Sequence, residues 1–269
     1  MKDFRSRFSF HSTPFTRELA VSDRFQHAIF NEPLAALGRV VTERMSAALI
    51  APAGTGKSAL LRALRDEHLP EARYRSHYVK VTDLSKRDMC REIAFAVGAT
   101  PAGSYPSLVR ALQQRFADMS DTDGLRPVLL LDDAHDLRPN VLSLLRILTN
   151  FEMDSRLLLS VVLAGQPPLA QLLRREALED IARRIAHYAV LRPLSRSETA
   201  AYLQHRTTIA GASTQPFDTK AADAIYEIGR GNLRATDQLA FKTLEIAHDA
   251  DADVADSNHV VAARKVLWP

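Results

Sequence analysis

The chain has 269 residues, 46% of them apolar and 25% charged, with a formal net charge of +3. That composition excludes a disordered chain and suits one large domain, or a main domain with an appendage; the slight excess of base permits a nucleic-acid partner without requiring one. The single cysteine, Cys90, excludes an intramolecular disulfide and fits a reducing compartment. No apolar run reaches the roughly 18–20 residues of a membrane helix, and "MKDFRSRFSFHSTPF" lacks the apolar stretch of a signal peptide, so a soluble, cytoplasmic protein is expected.

Residues 1–24 read as a polar arm carrying Phe4, Phe8, Phe10 and Phe15, with Pro14 breaking any continuous helix. Such an arm fits a neighbouring subunit or its own domain equally. From Phe25 to Glu43 the spacing of Phe30, Leu34, Leu37, Val40 and Val41 predicts a helix. A short apolar run, "SAALI" (46–50), then leads into a glycine loop and a helical pattern over 58–69. "YVKV" (78–81) reads as a second strand. The next helix, "SKRDMCREIAFAVGA", has Ser85 and Asp88 in capping-box positions and Cys90 on its apolar side. "YPSLVRALQQRFADM" is helical, "PVLLLDDAH" (127–135) a buried strand ending in acids, and "NVLSLLRILTNFEM" a helix. "LLLSVVLAG" (157–165) and "YAVLRPL" (188–194) complete the strands. Strands of continuous apolar character alternating with helices predict a parallel sheet covered on both faces. After Pro193 the pattern is all helical, with caps at Ser195, Asp218 and Asn232. The expected organisation is an arm (1–24), an α/β domain (25–194) and a small helical domain (195–269).

The chemistry concentrates in "APAGTGKS", residues 51–58. It fits the phosphate-loop pattern G-x-x-x-x-G-K-[ST] except that Ala51 replaces the first glycine. Glycine is needed there only for a positive φ or a close approach, so the loop is expected to work. Backbone N–H groups of Ala53, Gly54, Thr55 and Gly56, at the start of a helix, would cradle the phosphates of ATP. Lys57 would reach the β- and γ-phosphates and Ser58 would ligate Mg²⁺. Asp132 and Asp133 end a buried strand, the edge at which open α/β sheets bind ligands. Asp132 would hold Mg²⁺ through water, and Asp133 would orient or deprotonate the attacking water.

Phosphate loop, strand-end acids and helical lid together resemble the AAA+ ATPases over roughly residues 25–269. The resemblance implies an AAA+ P-loop core, a parallel sheet sandwiched by helices, followed by a small all-helical lid. It further implies that Gln166, in "LAGQPPL", senses the γ-phosphate. Arg234, in "GRGNLRATDQLA", would be a nucleotide-touching lid arginine. Arg184, favoured over Arg183 in "EDIARRIAHYAVLRPL", would be an arginine finger acting on a neighbouring subunit. Each of these arginines also fits a plain surface charge. The family usually has Asp-Glu where this chain has Asp132-Asp133; the shorter carboxylate falls about 1.5 Å short. A misplacement on the order of 1 Å can cost about 100-fold in rate, so slow hydrolysis is expected.

Whole phrases, "SAALIAPAGTGKSALLRAL" and "GRGNLRATDQLAFKTLEIA" among them, resemble a bacterial group holding the secretion-type ExeA ATPases and the transposition helpers Mu B, TnsC and TniB. Secretion ATPases of this kind usually add a membrane segment and a cell-wall-binding domain, neither of which these residues contain, so the resemblance favours a helper. It implies ATP-dependent assembly on double-stranded DNA as a ring or helical filament, stimulation of a partner transposase, and disassembly on hydrolysis. Contacts to DNA phosphates would be sequence-blind and salt-sensitive. Lys86 and Arg87, at a helix start, fit such a grip, and fit a solvated face as well. A secretion-type assembly ATPase without DNA dependence and a non-hydrolysing nucleotide-gated scaffold are the alternatives.

Overall fold

The computed structural model describes residues 4–268. The chain forms two compact units: Ala28–Ala53 with Lys57–Leu191, and Met1–His27 with Gly54–Gly56 and Arg192–Pro269.

In chain order the α/β unit contains α2 (Ala28–Thr42), β1 (Ser46–Ile50), α3 (Lys57–Ala63), β2 (Tyr74–Lys80), α4 (Lys86–Val97), α5 (Tyr105–Asp121) and β3 (Arg126–Asp132). It continues with α6 (Pro139–Leu148), β4 (Ser160–Gly165), α7 (Pro168–Leu173), α8 (Glu179–Ala182) and β5 (Ile185–Val190). All strand pairs are parallel, in the order β2-β3-β4-β1-β5. The three inner strands are buried along nearly their whole length because helices cover both faces, and their sequences are correspondingly continuous in apolar residues. The edge strands alternate buried and exposed positions instead. That alternation hides strand ends from an apolar-run reading: β2 begins at Tyr74 rather than 78, and β5 spans 185–190 rather than 188–194. The helix expected over 58–69 is α-helical only to Ala63 and widens to a π-turn over Leu64–His68. There His68 packs against Gly38 of α2, where a Cβ would meet its ring at 2.5 Å.

Cys90 is fully buried in the α4 face of this core, and burial pushes its thiol up to about 11, as suits a packing residue. Ser85 caps α4, accepting from the Asp88 N–H at 3.2 Å.

The helical unit contains α1 (Phe4–Arg7), α9 (Arg196–Ile209), α10 (Thr219–Gly229), α11 (Leu233–Asp249) and α12 (Ser257–Leu267). All three expected caps are made: Ser195 and Glu198 form a reciprocal box on α9, Asp218 accepts from the Ala221 N–H, and Asn232 from the Ala235 N–H. The aromatics of the N-terminal arm lie inside this unit. Phe8, Phe10 and Phe15 are buried with Leu203, Phe217, Leu239 and Leu244, each ring stabilising the unit by about 1.5–3 kcal/mol. Arg7 pairs with Asp251 and Asp253, within the acidic turn after α11. A polar knot ties the arm further. Arg206, buried in α9, donates to the Thr16 carbonyl at 2.7 Å and to the Tyr202 hydroxyl, lies 3.3 Å from Asp237, and stacks over Phe15. Tyr202 in turn donates to Asp237 at 2.8 Å.

Candidate nucleotide site

The strand β1 delivers the chain to Ala51, which is fully buried and donates its N–H to the Gly165 carbonyl at 2.9 Å. Ala51 is absent from the residues with positive φ, so the missing first glycine costs the backbone nothing. The two retained glycines are required: Gly54 has φ +77° and Gly56 φ +97°. Gly54 has a second reason. A Cβ there would lie 2.5 Å from Asn232 Oδ1 and 3.1 Å from Arg234 Cβ, and its carbonyl accepts from the Arg234 N–H at 3.1 Å. Arg234 thus sits in the first turn of α11, in the same unit as Gly54–Gly56.

At the start of α3 the side chains of Lys57 and Ser58 reach the end of β3. Ser58 donates its hydroxyl to Asp132 at 2.6 Å. The Lys57 ammonium lies 3.3 Å from Asp132 and 3.1 Å from Asp133. Burial alone would raise the Asp132 carboxyl, but the Ser58 hydroxyl, the Lys57 ammonium and the Asp133 N–H hold it below the usual carboxylate range. Asp133 follows in left-handed backbone, φ 57°, a conformation that aspartate tolerates better than longer side chains. Two phosphate-loop side chains and two strand-end acids are therefore brought together, separated in sequence by 74 residues or more.

Two further residues that sequence reading did not single out are partners of expected ones, Tyr78 of Asp132 and His135 of Gln166. Tyr78, on the edge strand β2, donates its hydroxyl to Asp132 at 3.2 Å; burial and then the nearby acids push this phenol up to about 12. Its signal was its position two residues before Lys80, which pairs with Asp132 across the sheet. His135 lies 2.6 Å, ring Nε2 to amide Nε2, from Gln166 at the end of β4. Its signal was its place in "LDDAH", two residues after Asp133.

The remaining expected residues lie elsewhere. Arg184 immediately precedes β5 and grips Asp154 with two bonds of 2.7 Å. Asp154 ends a run of three residues with positive φ, Glu152, Met153 and Asp154, of which Glu152 and Met153 each cost roughly 1–2 kcal/mol. Arg183 pairs with Glu179 and is exposed. Both arginines line a cleft of about 670 Å³ with Arg146, Asp154 and Asp180. Lys86 and Arg87 open α4, but Arg87 donates to the Gly103 carbonyl at 3.0 Å, and the Asp88 carboxylate shares the same turn.

The sheet order and the glycine loop define the fold of the AAA+ P-loop NTPases, and residues 41–173 match the AAA domain family. Over 194 residues, 71% of this chain, the sequence is 32% identical to general secretion pathway protein A of Aeromonas hydrophila. That match takes in 35% of the relative, so the chain spans about a third of the length of the curated protein it resembles. Among solved structures, Cdc6p of Pyrobaculum aerophilum matches with a TM-score of 0.74 at 19% identity, over 94% of this chain and 70% of that one. The ORC1 protein of Aeropyrum pernix, solved in complex with DNA, matches with a TM-score of 0.72 at 18% identity, over 96% and 70%. Among the described residues no helix is long and apolar enough to cross a membrane.

Proposed function

We propose that this protein is an ATP-driven switch. It binds and slowly hydrolyses ATP, assembles with copies of itself on double-stranded DNA in the ATP state, and presents that DNA to a partner transposase. The observation that carries the ATPase part is the convergence of Lys57 and Ser58 on Asp132 and Asp133. The backbone of residues 53–56 and the α3 N-terminus would hold the phosphates, with Lys57 at the β- and γ-groups. The Ser58 hydroxyl and the Asp132 carboxylate are the hard oxygen donors that Mg²⁺ takes, one or two from protein and the rest from water and phosphate. Mg²⁺ held there would neutralise charge on the phosphates. Asp133 would orient the attacking water, Gln166 would sense the γ-phosphate, Arg234 would touch the nucleotide, and Arg184 would act on a neighbour's nucleotide.

The DNA part is supported by the likeness of fold to an ORC1 protein solved with DNA. Lys86 and Arg87 are the proposed phosphate contacts. A second reading, an assembly ATPase of the secretion type, is favoured by the 32% identity to general secretion pathway protein A. Binding to a fluorescent random-sequence duplex, with ATP, a non-hydrolysable analogue, ADP or no nucleotide over a salt series, separates the two. Cooperative, salt-steep binding with the triphosphates alone is expected. No binding at low salt under any nucleotide would remove the DNA reading and leave the secretion-type one.

A further inference from the structure

The pairing of Gln166 with His135 has a chemical polarity. The amide nitrogen of glutamine only donates, so with that nitrogen facing the ring Nε2 at 2.6 Å the pair is made only in the tautomer that carries its proton on Nδ1. The free end of the amide is then Oε1, an acceptor. In the other tautomer Nε2–H would need Oε1 turned toward it, and the free end would be the NH₂ group, a donor. An acceptor suits an attacking water; a donor suits a phosphate oxygen. The amide NH₂ keeps a second N–H in either case, so the tautomer of His135 decides whether Gln166 also offers a free acceptor.

The surroundings hold the ring and leave that choice open. His135 is nearly buried, and its Nδ1 has no hydrogen-bond partner among the described residues. One tautomer leaves an unpaired N–H there and the other an unpaired lone pair, so neither satisfies both nitrogens. The carboxylate of Asp136 stands 3.8 Å from Nε2, and α7 contributes the apolar Leu169 nearby. Gly165 lets the end of β4 lie this close: a Cβ there would come within 3.0 Å of the His135 backbone nitrogen and 2.9 Å of Leu169.

We propose that His135 is a positioning residue for Gln166: it fixes the amide with Oε1 free to accept from the attacking water, while the second N–H of the amide stays free for the γ-phosphate that Gln166 would sense. The inference rests on the ATPase reading of this site. The test combines two readouts on the full chain. Nitrogen-15 NMR of the histidine side chains should show His135 as the Nδ1–H tautomer, and Gln166→Leu should shift its Nε2 signal. In steady-state hydrolysis, His135→Ala and Gln166→Ala should each lower kcat about tenfold or more with KM unchanged. The double variant should be no worse than Gln166→Ala, and His135→Asn, which keeps a polar partner for the amide, should recover part of the loss. Additive losses in the double variant, or an imidazole signal that Gln166→Leu leaves unmoved, would overturn the proposal while the ATPase reading stands. A wild-type chain that binds a fluorescent ATP analogue but hydrolyses no ATP would overturn that reading, and this inference with it.

Discussion

Ser58 donates its hydroxyl to Asp132 at 2.6 Å, tying the first turn of α3 to the end of β3. Beside them Lys57 spans both acids. The two side chains have separable tasks. A hydrogen bond to a charged group is worth about 1.5–3 kcal/mol, or roughly 10- to 150-fold. Ser58→Ala is expected to weaken binding of a fluorescent ATP analogue about 10- to 100-fold with Mg²⁺ present and far less in EDTA. Lys57→Ala is expected to weaken it with and without the metal. Equal losses for Ser58→Ala in both buffers would take metal binding away from this hydroxyl.

The left-handed backbone at Asp133 bears on the missing glutamate. A glutamate at this position would carry its carboxylate about 1.5 Å further, which favours hydrolysis, but a longer side chain at φ 57° costs about 1 kcal/mol more than aspartate. Asp133→Glu should therefore raise kcat by tenfold or more while lowering the urea midpoint of unfolding. A fall in both would show that aspartate already sits where the chemistry needs it.

The inner strands and the phosphate loop were legible in the sequence for physical reasons. "VLLLDD" is buried on both faces, so its apolar run is unbroken, and a loop with two obligatory positive-φ glycines leaves little choice of residue at Gly54 and Gly56. Capping leaves an equally local mark, at Ser85, Ser195, Asp218 and Asn232. Tyr78 and His135 left only a positional hint, because the partners that give them a role are distant in sequence, 54 and 31 residues away. The destination of the arm aromatics was not legible, since Phe8, Phe10 and Phe15 declare only that they need burial.

The buried knot on α9 and α11 gives the helical unit a pH dependence. Burial pushes the Asp237 carboxyl up to about 6, against the pull of the Arg206 guanidinium. Between about pH 4 and 6 the folded chain keeps this proton where the unfolded chain has lost it. The folded state then binds more protons, so stability falls as pH rises through that window and levels off above it. The shift corresponds to at most about 3 kcal/mol. Glu198, held at about 2 chiefly by the Arg192 guanidinium, acts in the opposite sense, its stabilisation being lost only as pH falls from about 4.5. The difference between wild type and Asp237→Asn isolates the first effect. In urea unfolding at pH 4.5 and pH 7, the wild type should lose about 1–3 kcal/mol relative to the variant on going to the higher pH. Parallel curves would mean that Asp237 is ionised throughout.

Arg184 is held by Asp154, and both bonds must break before its guanidinium can reach a phosphate on another copy of the chain. If it acts there, its loss should matter only to assembled protein. An arginine supplied in trans is worth about 10³–10⁵ in rate. Arg184→Ala is expected to bind ATP normally and to lose at least 100-fold in turnover at protein concentrations where the wild type assembles. Mixing supplies the decisive check. Asp133→Asn subunits keep the phosphate loop and Arg184 but lose the carboxylate proposed to orient the water, so they cannot hydrolyse their own nucleotide, and Arg184→Ala subunits retain both their own phosphate loop and Asp133. Each variant alone should be inactive, and the mixture should recover a measurable fraction of wild-type turnover, because some sites then combine an intact loop and Asp133 with a neighbour's arginine. Asp154→Ala, which leaves Arg184 unpaired, should reach half-maximal turnover at lower protein concentration than the wild type. A mixture as inactive as its components would reduce Arg184 to a brace for the positive-φ turn at Glu152, Met153 and Asp154, and the same experiment with Arg183→Ala would then decide whether the neighbouring arginine takes the role.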